Sequence, residues 1–310
     1  GQMPDGMQMP ADGHTPGGMT GGRDGSAGGV SLEYSDDEIS SYSNIFDNSI
    51  TRTDDEDHKR VIEAIKGISE SDDPEKYIDV DEVLRYTAAN VFLVNLDSYF
   101  SSMAHNYCLA ENNTVLSMIP WDYNLSFGSF QSHDSSSVIN YAVDTVFDGV
   151  TADARPIIGK LLEKEENMET YHKYLRQIAE EYVQGGVFEK KINDLTSVID
   201  EYVKNDDSSF NGYDAFTKGV DALKTFGTLR AQSILGQLDG AIPATQDEQK
   251  DSDALIDASS LDMSLLGTMD MGNKMGAEGQ TGRPDRNFND NKFNKKQETA
   301  AGTTTTQTTA

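Results

Sequence analysis

A predicted two-stranded motif near the middle of the chain constrains the fold more than any other feature. The residues from His105 to Glu111 and from Val115 to Ile119 are typical of strands, and Asn112-Asn113 between them can adopt the positive φ of a tight turn. Pro120 ends the pairing because it cannot donate a ladder hydrogen bond. The two ends of this hairpin come together, so residues that flank it become neighbours in space.

Helical periodicity surrounds the hairpin, since apolar residues recur at spacings of three and four. Helices are predicted from a cap at Thr53 or Asp54 to Asp72, from near Asp79 or Asp81 to about Val94, and over residues 156–164, 167–183, 186–204 and 213–238. A short strand is predicted over residues 30–34, and residues 129–155 are predicted to form a long loop with little regular structure. The predicted fold class is α+β, a small β element in a mainly helical domain.

The two ends of the chain differ in composition from its middle. Residues 1–29 contain ten Gly and four Met but no aromatic residue, and residues 245–310 are polar and close in a run of Thr. Such segments bury too little apolar surface to offset the entropy lost on ordering. We therefore expect a disordered linker or insertion at 1–29, one folded domain at 30–244, and a disordered polar tail at 245–310.

The predicted domain is strongly acidic, with 39 Asp and Glu against 17 Lys and Arg, a net charge of −22. Nucleic acid and anionic membrane are disfavoured as partners, and no apolar run is long enough to span a membrane. Among so many acids, Arg155 and Arg230 are expected to form salt bridges, with phosphate binding as an alternative. The single cysteine, Cys108, excludes a disulfide framework. The chain starts within a Gly-rich run without an initiator Met, so we expect its natural start upstream.

Two carboxylates and an amide are predicted to meet at the open end of the hairpin. Asp97 follows a helix, Asn106 begins the hairpin and Asp122 follows it. Their oxygens suit Mg²⁺ or Mn²⁺. The same residues would also serve as turn caps, with His105 bonded to loop backbone and Trp121 in the core. Acid–base cleavage of glycosides is a further alternative, although no sugar-stacking aromatic residue is placed to support it.

Several segments resemble the spore-coat CotH kinase family. They are Asn95-Leu96-Asp97-Ser98-Tyr99, His105-Asn106-Tyr107 and Met118-Ile119-Pro120-Trp121-Asp122-Tyr123-Asn124-Leu125-Ser126-Phe127-Gly128. The resemblance covers roughly residues 30–243. It implies an atypical protein-kinase-like fold, of which this chain would supply a mainly helical C-terminal lobe with the hairpin at the active site.

The resemblance also implies roles for individual residues. Asp97 corresponds to the catalytic-loop Asp that orients the acceptor hydroxyl, and Asp122 corresponds to the metal-binding Asp, with Gly128 closing its motif. Asn106 is the candidate second metal ligand, although it lies nine residues after Asp97 and ordinary kinases place this Asn five after. The supporting candidates are His105, Trp121 and Gly128.

The implied activity is transfer of the ATP γ-phosphate, with Mg²⁺ or Mn²⁺, to Ser or Thr of a protein at a spore or cell surface, including the kinase itself. The nucleotide-covering loop and its Lys are expected upstream, because the glycines at 17–29 are scattered and the lysines at 59, 66 and 76 lie on or beside a surface helix. We therefore expect this chain alone to be poorly active. The alternative is a non-catalytic coat or cell-surface assembly protein with the same fold.

Overall fold

The computed structural model describes residues 29–130, 134–209 and 211–267. In this part of the chain two antiparallel strands, β1 (Tyr107–Asn112) and β2 (Val115–Pro120), lie among helices. The α-helices are α1 (Ser43–Phe46), α2 (Asp55–Glu70), α3 (Val80–Leu93), α4 (Ser135–Ile139), α5 (Pro156–Leu162), α6 (Glu165–Gln177), α7 (Val187–Lys204), α8 (Gly212–Leu238) and α9 (Gln246–Gln249). The predicted mainly helical α+β fold is confirmed. No helix within the described ranges has the length and apolar character needed to cross a membrane.

Helices α2 and α3 begin at aspartate caps, as the sequence predicts. Asp54 accepts hydrogen bonds from the backbone N–H groups of Glu56 and Asp57, and the Asp57 side chain accepts one from Asp54 N in return. Asp79 caps α3 with its own side chain. Helix α3 is largely buried and ends at Val94, whose φ of 46° is left-handed. This conformation turns the chain abruptly out of the helix, so the segment carrying Asp97 starts from a fixed point in the core.

The hairpin has nearly the predicted extent, with its turn one residue later than predicted. Pairing starts at Tyr107 and Pro120, which lie opposite each other at the open end. The positive φ angles occur at Asn113 (52°) and Thr114 (67°), because β1 continues through Asn112. Two consecutive left-handed residues give the twist that a two-residue hairpin loop requires.

The helices of the C-terminal half also follow the prediction. Helix α6 continues without a break into a π-helix, Ile178–Gln184, so the single helix predicted over 167–183 changes its hydrogen bonding halfway. Residues 129–155, predicted as a long loop with little regular structure, contain the short helix α4, in which Val138 and Ile139 are buried. A helix of five residues is too short to leave a periodic signal in the sequence.

The predicted strand over residues 30–34 is wrong. This segment is irregular, and Leu32 has a φ of 63° that no regular strand accommodates. Its backbone is bonded instead to the hairpin region: Val30 N donates to Ala104 O at 2.7 Å, and Tyr107 Oη donates to Val30 O at 2.7 Å. Val30, Leu32 and Tyr34 all pack in the same hydrophobic core, so the alternation of apolar residues reflects this packing and not membership of a sheet.

The folded part extends past residue 244, where we predicted that a disordered tail begins. Ala258, Leu261 and Met263 are buried in an apolar cluster with Phe226 of α8 and Ile139 of α4. Prediction failed here because these apolar residues are isolated among polar ones and complete a cluster that other elements begin. Residues 1–28 and 268–310, the rest of the two predicted disordered segments, lie outside the described residues.

Arg230 joins three elements in the core, and the salt bridge expected for it is absent from the described residues. Its side chain is fully buried. The guanidinium donates to Val91 O at 2.9 Å in α3, to Ile139 O (3.0 Å) at the end of α4, and to Tyr141 O (2.7 Å) beyond it. Burial lowers its pKa to about 10. Arg230 thus fixes the C-terminal end of α3, the end from which the Asp97 segment departs.

Candidate functional site

Asp97 is buried, and hydrogen bonds hold both of its carboxylate oxygens. The residue is 7% exposed. His105 Nε2 lies 2.6 Å from Oδ1, and Asn106 Nδ2 donates to Oδ2 at 3.0 Å and to the Asp97 backbone carbonyl at 2.8 Å. Because a carboxylate accepts hydrogen bonds, the imidazole donates through Nε2. The structure thus brings Asp97, His105 and Asn106 together, and it fixes the orientation of the Asp97 carboxylate.

Arg155 fixes the loop that follows Asp97. It is buried, and it donates through Nε to Tyr99 O at 2.7 Å, through Nη2 to Ser101 O, and through Nη1 to Ala154 O at 2.6 Å. Its guanidinium also lies over the Tyr99 ring, 5.4 Å from the centroid. Salt bridging was expected for Arg155, but its donors bind backbone carbonyls. Sequence reasoning missed this role because carbonyl groups leave no signature in a sequence.

Asp122 lies at the open end of the hairpin in a very different environment. Since Tyr107 pairs with Pro120, Asn106 and Trp121 are the next residues on the two chains, and Asp122 is one residue further. Asp122 is exposed and left-handed, with φ 53° and ψ 64°. Its carboxylate has no hydrogen bond or ion pair with any residue that the structure describes. Trp121 is 59% exposed, so the alternative that placed it in the core is wrong.

The segment after Asp122 is anchored to the same helix end as Asp97. Phe127 N donates to Leu93 O at 2.6 Å, and Gly128 N donates to Val94 O at 3.3 Å. Gly128 has a φ of +68°, and a Cβ built on it would lie 2.4 Å from Val138 Cγ1. Glycine is required at this position for both reasons, the backbone conformation and the space.

A buried polar network connects the two segments. Asn90 of α3 donates to Tyr123 Oη at 2.7 Å and accepts from Asn95 Nδ2 at 3.2 Å. Burial raises the pKa of Tyr123 to about 12. Asn95 Oδ1 and Ser126 Oγ are buried without a hydrogen-bond partner among the described residues. The site therefore contains two buried polar atoms whose hydrogen bonding its own described side chains do not satisfy.

The oxygen atoms of Asp122 and Asn106 suit a hard divalent cation that takes most of its ligands from phosphate and water. The Asp122 carboxylate is unengaged, and the Asn106 amide, whose nitrogen is bonded to Asp97, keeps its oxygen as an acceptor. Within the described ranges no group of three or more His, Cys, Asp or Glu side chains is arranged to hold a metal. One or two protein oxygens completed by phosphate and water is the coordination that Mg²⁺ prefers.

A groove of about 710 Å³ opens beside this site. His105 and Asn106 lie at one end, β1 forms one wall, and residues 29–32 and 44–53 form others. The groove contains two arginines. Arg60 is paired with Glu111 at 3.0 Å and with Asp57, whereas Arg52 has no ion pair among the described residues.

The family described as CotH kinase protein matches residues 24–234. The chain is also similar to the inner spore coat protein H of Bacillus subtilis (strain 168), with 26% identity over 165 residues, which is 53% of this chain and 42% of that protein. The chain thus spans less than half the length of this relative. The family match contains the Asp97 loop, the hairpin, the Asp122 segment and both buried arginines. From this match over more than half of its length, the chain belongs to the CotH kinase protein family.

Proposed function

We propose that this chain is the catalytic and metal-binding part of a protein kinase that transfers the γ-phosphate of ATP to Ser or Thr of a surface or coat protein, itself included. The observation that carries the proposal is the contrast between its two carboxylates. Asp97 is buried and fixed in orientation, and Asp122 is exposed and unengaged at the open end of the same hairpin. Phosphoryl transfer requires two such groups, one for the acceptor and one for charge on the phosphates.

Asp97 would align the acceptor hydroxyl. Each of its oxygens keeps a lone pair beyond the bonds from His105 and Asn106, and the hydroxyl can donate to one of them. Those two bonds restrict the carboxylate to one rotamer, which lowers the entropy lost when the acceptor binds. His105 and Asn106 are therefore positioning residues for Asp97, which deepens the supporting role predicted for His105.

Asp122 would hold Mg²⁺ or Mn²⁺, with the Asn106 oxygen as the candidate second protein ligand. Bound there with the nucleotide, the cation supplies the positive charge that phosphate groups need. In the neighbouring groove, Arg52 is a cation without an ion pair among the described residues, and Arg60 is already paired with Glu111. Each of the lysines considered above is ion-paired on the surface: Lys59 with Glu56, Lys66 with Asp37 and Lys76 with Asp73.

The nucleotide would lie in the groove beside His105 and Asn106, with its cover provided by sequence outside this chain. His105 and Asn106, which bond to Asp97, line the groove, and of its two arginines only Arg60 is ion-paired among the described residues. The chain spans 42% of its relative, so the complete protein's activity belongs to a longer polypeptide in this proposal. We expect the present chain to bind ATP weakly and to turn over slowly.

The second candidate is a coat or cell-surface assembly protein without catalysis. It is favoured by the name of the relative, an inner spore coat protein. A location at the spore surface is common to both candidates. In the second, the Asp97 network would only stabilise the fold, and Asp122 would be one more exposed acid on an acidic protein.

Transfer of labelled phosphate separates the candidates. The full-length protein is incubated with labelled ATP and Mg²⁺ or Mn²⁺, alone and with a basic acceptor protein, and compared with Asp97→Ala, Asp122→Ala and the control Asp153→Asn. Asp153 is an exposed acid outside the site. We expect each site variant to lose at least about 100-fold in rate, roughly 2.7 kcal/mol of barrier, and the control to keep the wild-type rate. Equal labelling of wild type and site variants would exclude the assigned roles.

A further inference from the structure

Arg52 differs from every other arginine in the described part of the chain. The other arginines there pair with acids or donate to backbone carbonyls: Arg60, Arg85, Arg155, Arg176 and Arg230. Arg52 is exposed, and its side chain has no hydrogen bond or ion pair with a described residue. Residues 30–244 contain 39 acids against 17 bases, so pairing would be expected for it. Its guanidinium is therefore available to an anion from outside the chain.

Helix capping explains why nearby acids leave Arg52 unpaired. Asp54 and Asp57 form the reciprocal cap at the start of α2, where each side chain accepts from the other residue's backbone N–H. Asp57 is also paired with Arg60, and Glu56 is ion-paired within the helix. Three of the four acids that follow Arg52 closely in the sequence are thus engaged in holding α2.

The segment that carries Arg52 is itself well held. The neighbouring Thr53 Oγ1 lies 3.0 Å from His58 Nε2 and donates to Ser49 Oγ at 3.4 Å. The His58 ring stacks on Phe46, with the ring centroids 4.0 Å apart and the planes 13° from parallel. Because the backbone beside Arg52 is fixed, a ligand that binds this guanidinium orders a side chain and not a loop, which lowers the entropy lost on binding.

The groove that Arg52 lines combines apolar surface with this unpaired cation. Ile50 and Ile119, which are 77% and 44% exposed, line the same groove of about 710 Å³. Its lining contains two arginines and two acids, so its formal charge with neutral histidines is zero, against −22 over residues 30–244. An anion therefore meets less repulsion there than over the domain as a whole. A ligand with both an apolar ring and an anionic group fits these walls better than an inorganic anion, which would leave the isoleucines in water.

We propose that Arg52 binds a phosphate group of the nucleotide, whose base lies against Ile50 and Ile119; this rests on the proposed function, which puts the nucleotide in the groove. The planar guanidinium donates two parallel hydrogen bonds to phosphate oxygens. The chain then holds a phosphate-binding cation of its own, besides the lysine expected upstream. An acidic acceptor segment has similar chemistry, but a macromolecule meets the whole acidic surface, whereas a nucleotide in the groove meets mainly uncharged walls.

Titration calorimetry of the full-length protein with ATP, adenosine and tripolyphosphate, each with Mg²⁺, tests the contact. Arg52→Gln should bind ATP at least about tenfold more weakly than wild type and adenosine equally well, because only ATP carries phosphate. Arg52→Lys should fall between the two, since it keeps the charge and loses the fork. Wild type should bind tripolyphosphate more weakly than ATP, because it lacks the base. The matched control is Lys218→Gln, which removes an exposed cation that lies outside the groove and has no ion pair among the described residues; it should bind ATP like wild type.

Unchanged affinity of Arg52→Gln for ATP would overturn the proposal, and so would an equal loss of affinity for ATP and adenosine, which would mean that Arg52 only shapes the groove. A raised KM for the acceptor with unchanged ATP affinity would assign Arg52 to the acceptor instead. Asp97→Ala separates this inference from the kinase proposal, because it should bind ATP like wild type and fail to transfer phosphate. If Asp97→Ala transfers normally while Arg52→Gln binds ATP weakly, the role of Asp97 is wrong and the phosphate contact remains.

Discussion

The loop carrying Asp97 and the segment carrying Asp122 are both attached to the C-terminal end of α3, but the two carboxylates are held in opposite ways. Asp97 is buried, its two oxygens are bonded to His105 and Asn106, and Arg155 fixes the loop beyond it. Asp122 is exposed, left-handed and unbonded within the described part of the chain. The protein fixes the orientation of the Asp97 carboxylate, whereas for Asp122 it fixes only the backbone and leaves the carboxylate unbonded within the described part of the chain.

This difference corresponds to the two roles in the proposed reaction. A group that aligns a neutral hydroxyl gains from a fixed orientation, because no charged ligand arrives to impose one. A group that binds a cation gains from exposed and unengaged oxygens, because the cation replaces water around them. The fold therefore concentrates its stabilising contacts on Asp97 and leaves Asp122 accessible.

Alkaline pH is expected to lower the free energy of unfolding more than any of the substitutions below, and it acts on both segments. Burial raises the pKa of Tyr99 in the Asp97 loop well above 10, and that of Tyr123 in the Asp122 segment to about 12. A raised folded-state pKa contributes stability that is complete below about pH 10 and is lost as pH rises through the folded value. Urea unfolding from about pH 8 to 12 should show a steep fall above about pH 10.

Two variants measure how much each segment contributes to this loss of unfolding free energy. Tyr99→Phe should reduce the slope of unfolding free energy against pH more than Tyr123→Phe, because Tyr99 is completely buried and Tyr123 is not. Equal slopes in both variants and wild type would mean that neither segment limits alkaline stability.

Arg155→Met should destabilise the protein by about 3 kcal/mol, because it leaves buried carbonyls in the Asp97 loop without donors. The matched control is Arg85→Met, where the side chain is 65% exposed and paired with Asp81 on the surface; it should cost at most about 0.5 kcal/mol. Urea denaturation measures both. Hydrogen exchange should rise in the Asp97 loop and remain unchanged after Asp122, and faster exchange in both would mean that the segments are not held separately.

Gly128→Ala should cost about 2 kcal/mol, since it combines a left-handed backbone with a collision against Val138. Gly149→Ala is an unusually close control, because Gly149 has φ +67° and open space around it. It should cost only about 1 kcal/mol, the conformational part alone. The difference in thermal midpoint between the two variants measures how tightly the Asp122 segment packs against Val138. Identical midpoints would contradict tight packing there.

The smallest effects come from the two carboxylates themselves. Asp97→Asn should destabilise the fold by about 1 kcal/mol, because the new amide cannot accept from both His105 and Asn106. Asp122→Asn should change stability by less than about 0.5 kcal/mol, since Asn tolerates the left-handed conformation and no described contact is lost. Chemical denaturation of both variants under one set of conditions checks the pair, and the reverse order would contradict the contrast between the two segments.

Much of the architecture could be predicted from the sequence. The capped start of α2, the long stripe of α3, the hairpin with its Pro120 end and helices α5 to α8 all follow from local periodicity and turn chemistry, which act over a few residues. The strand at 30–34 and the tail after 244 were predicted wrongly, and the short helix α4 within the predicted loop was not foreseen. In each of these segments distant contacts decide the conformation: Ala104 for Val30, and Phe226 for the residues near Met263.

For the site, the sequence by itself predicted that Asp97, Asn106 and the Asp122 segment meet, because a hairpin of known length brings its two ends together. The structure joins Asp97 to Asn106 by hydrogen bonds and places Asp122 at the open end of the hairpin. Only the tertiary structure decided how each is held. Burial of Asp97, the exposure of Trp121 and the carbonyl contacts of Arg155 and Arg230 depend on groups far away in the chain. Backbone carbonyls are the same in every residue, so no sequence pattern marks which of them a buried arginine will find.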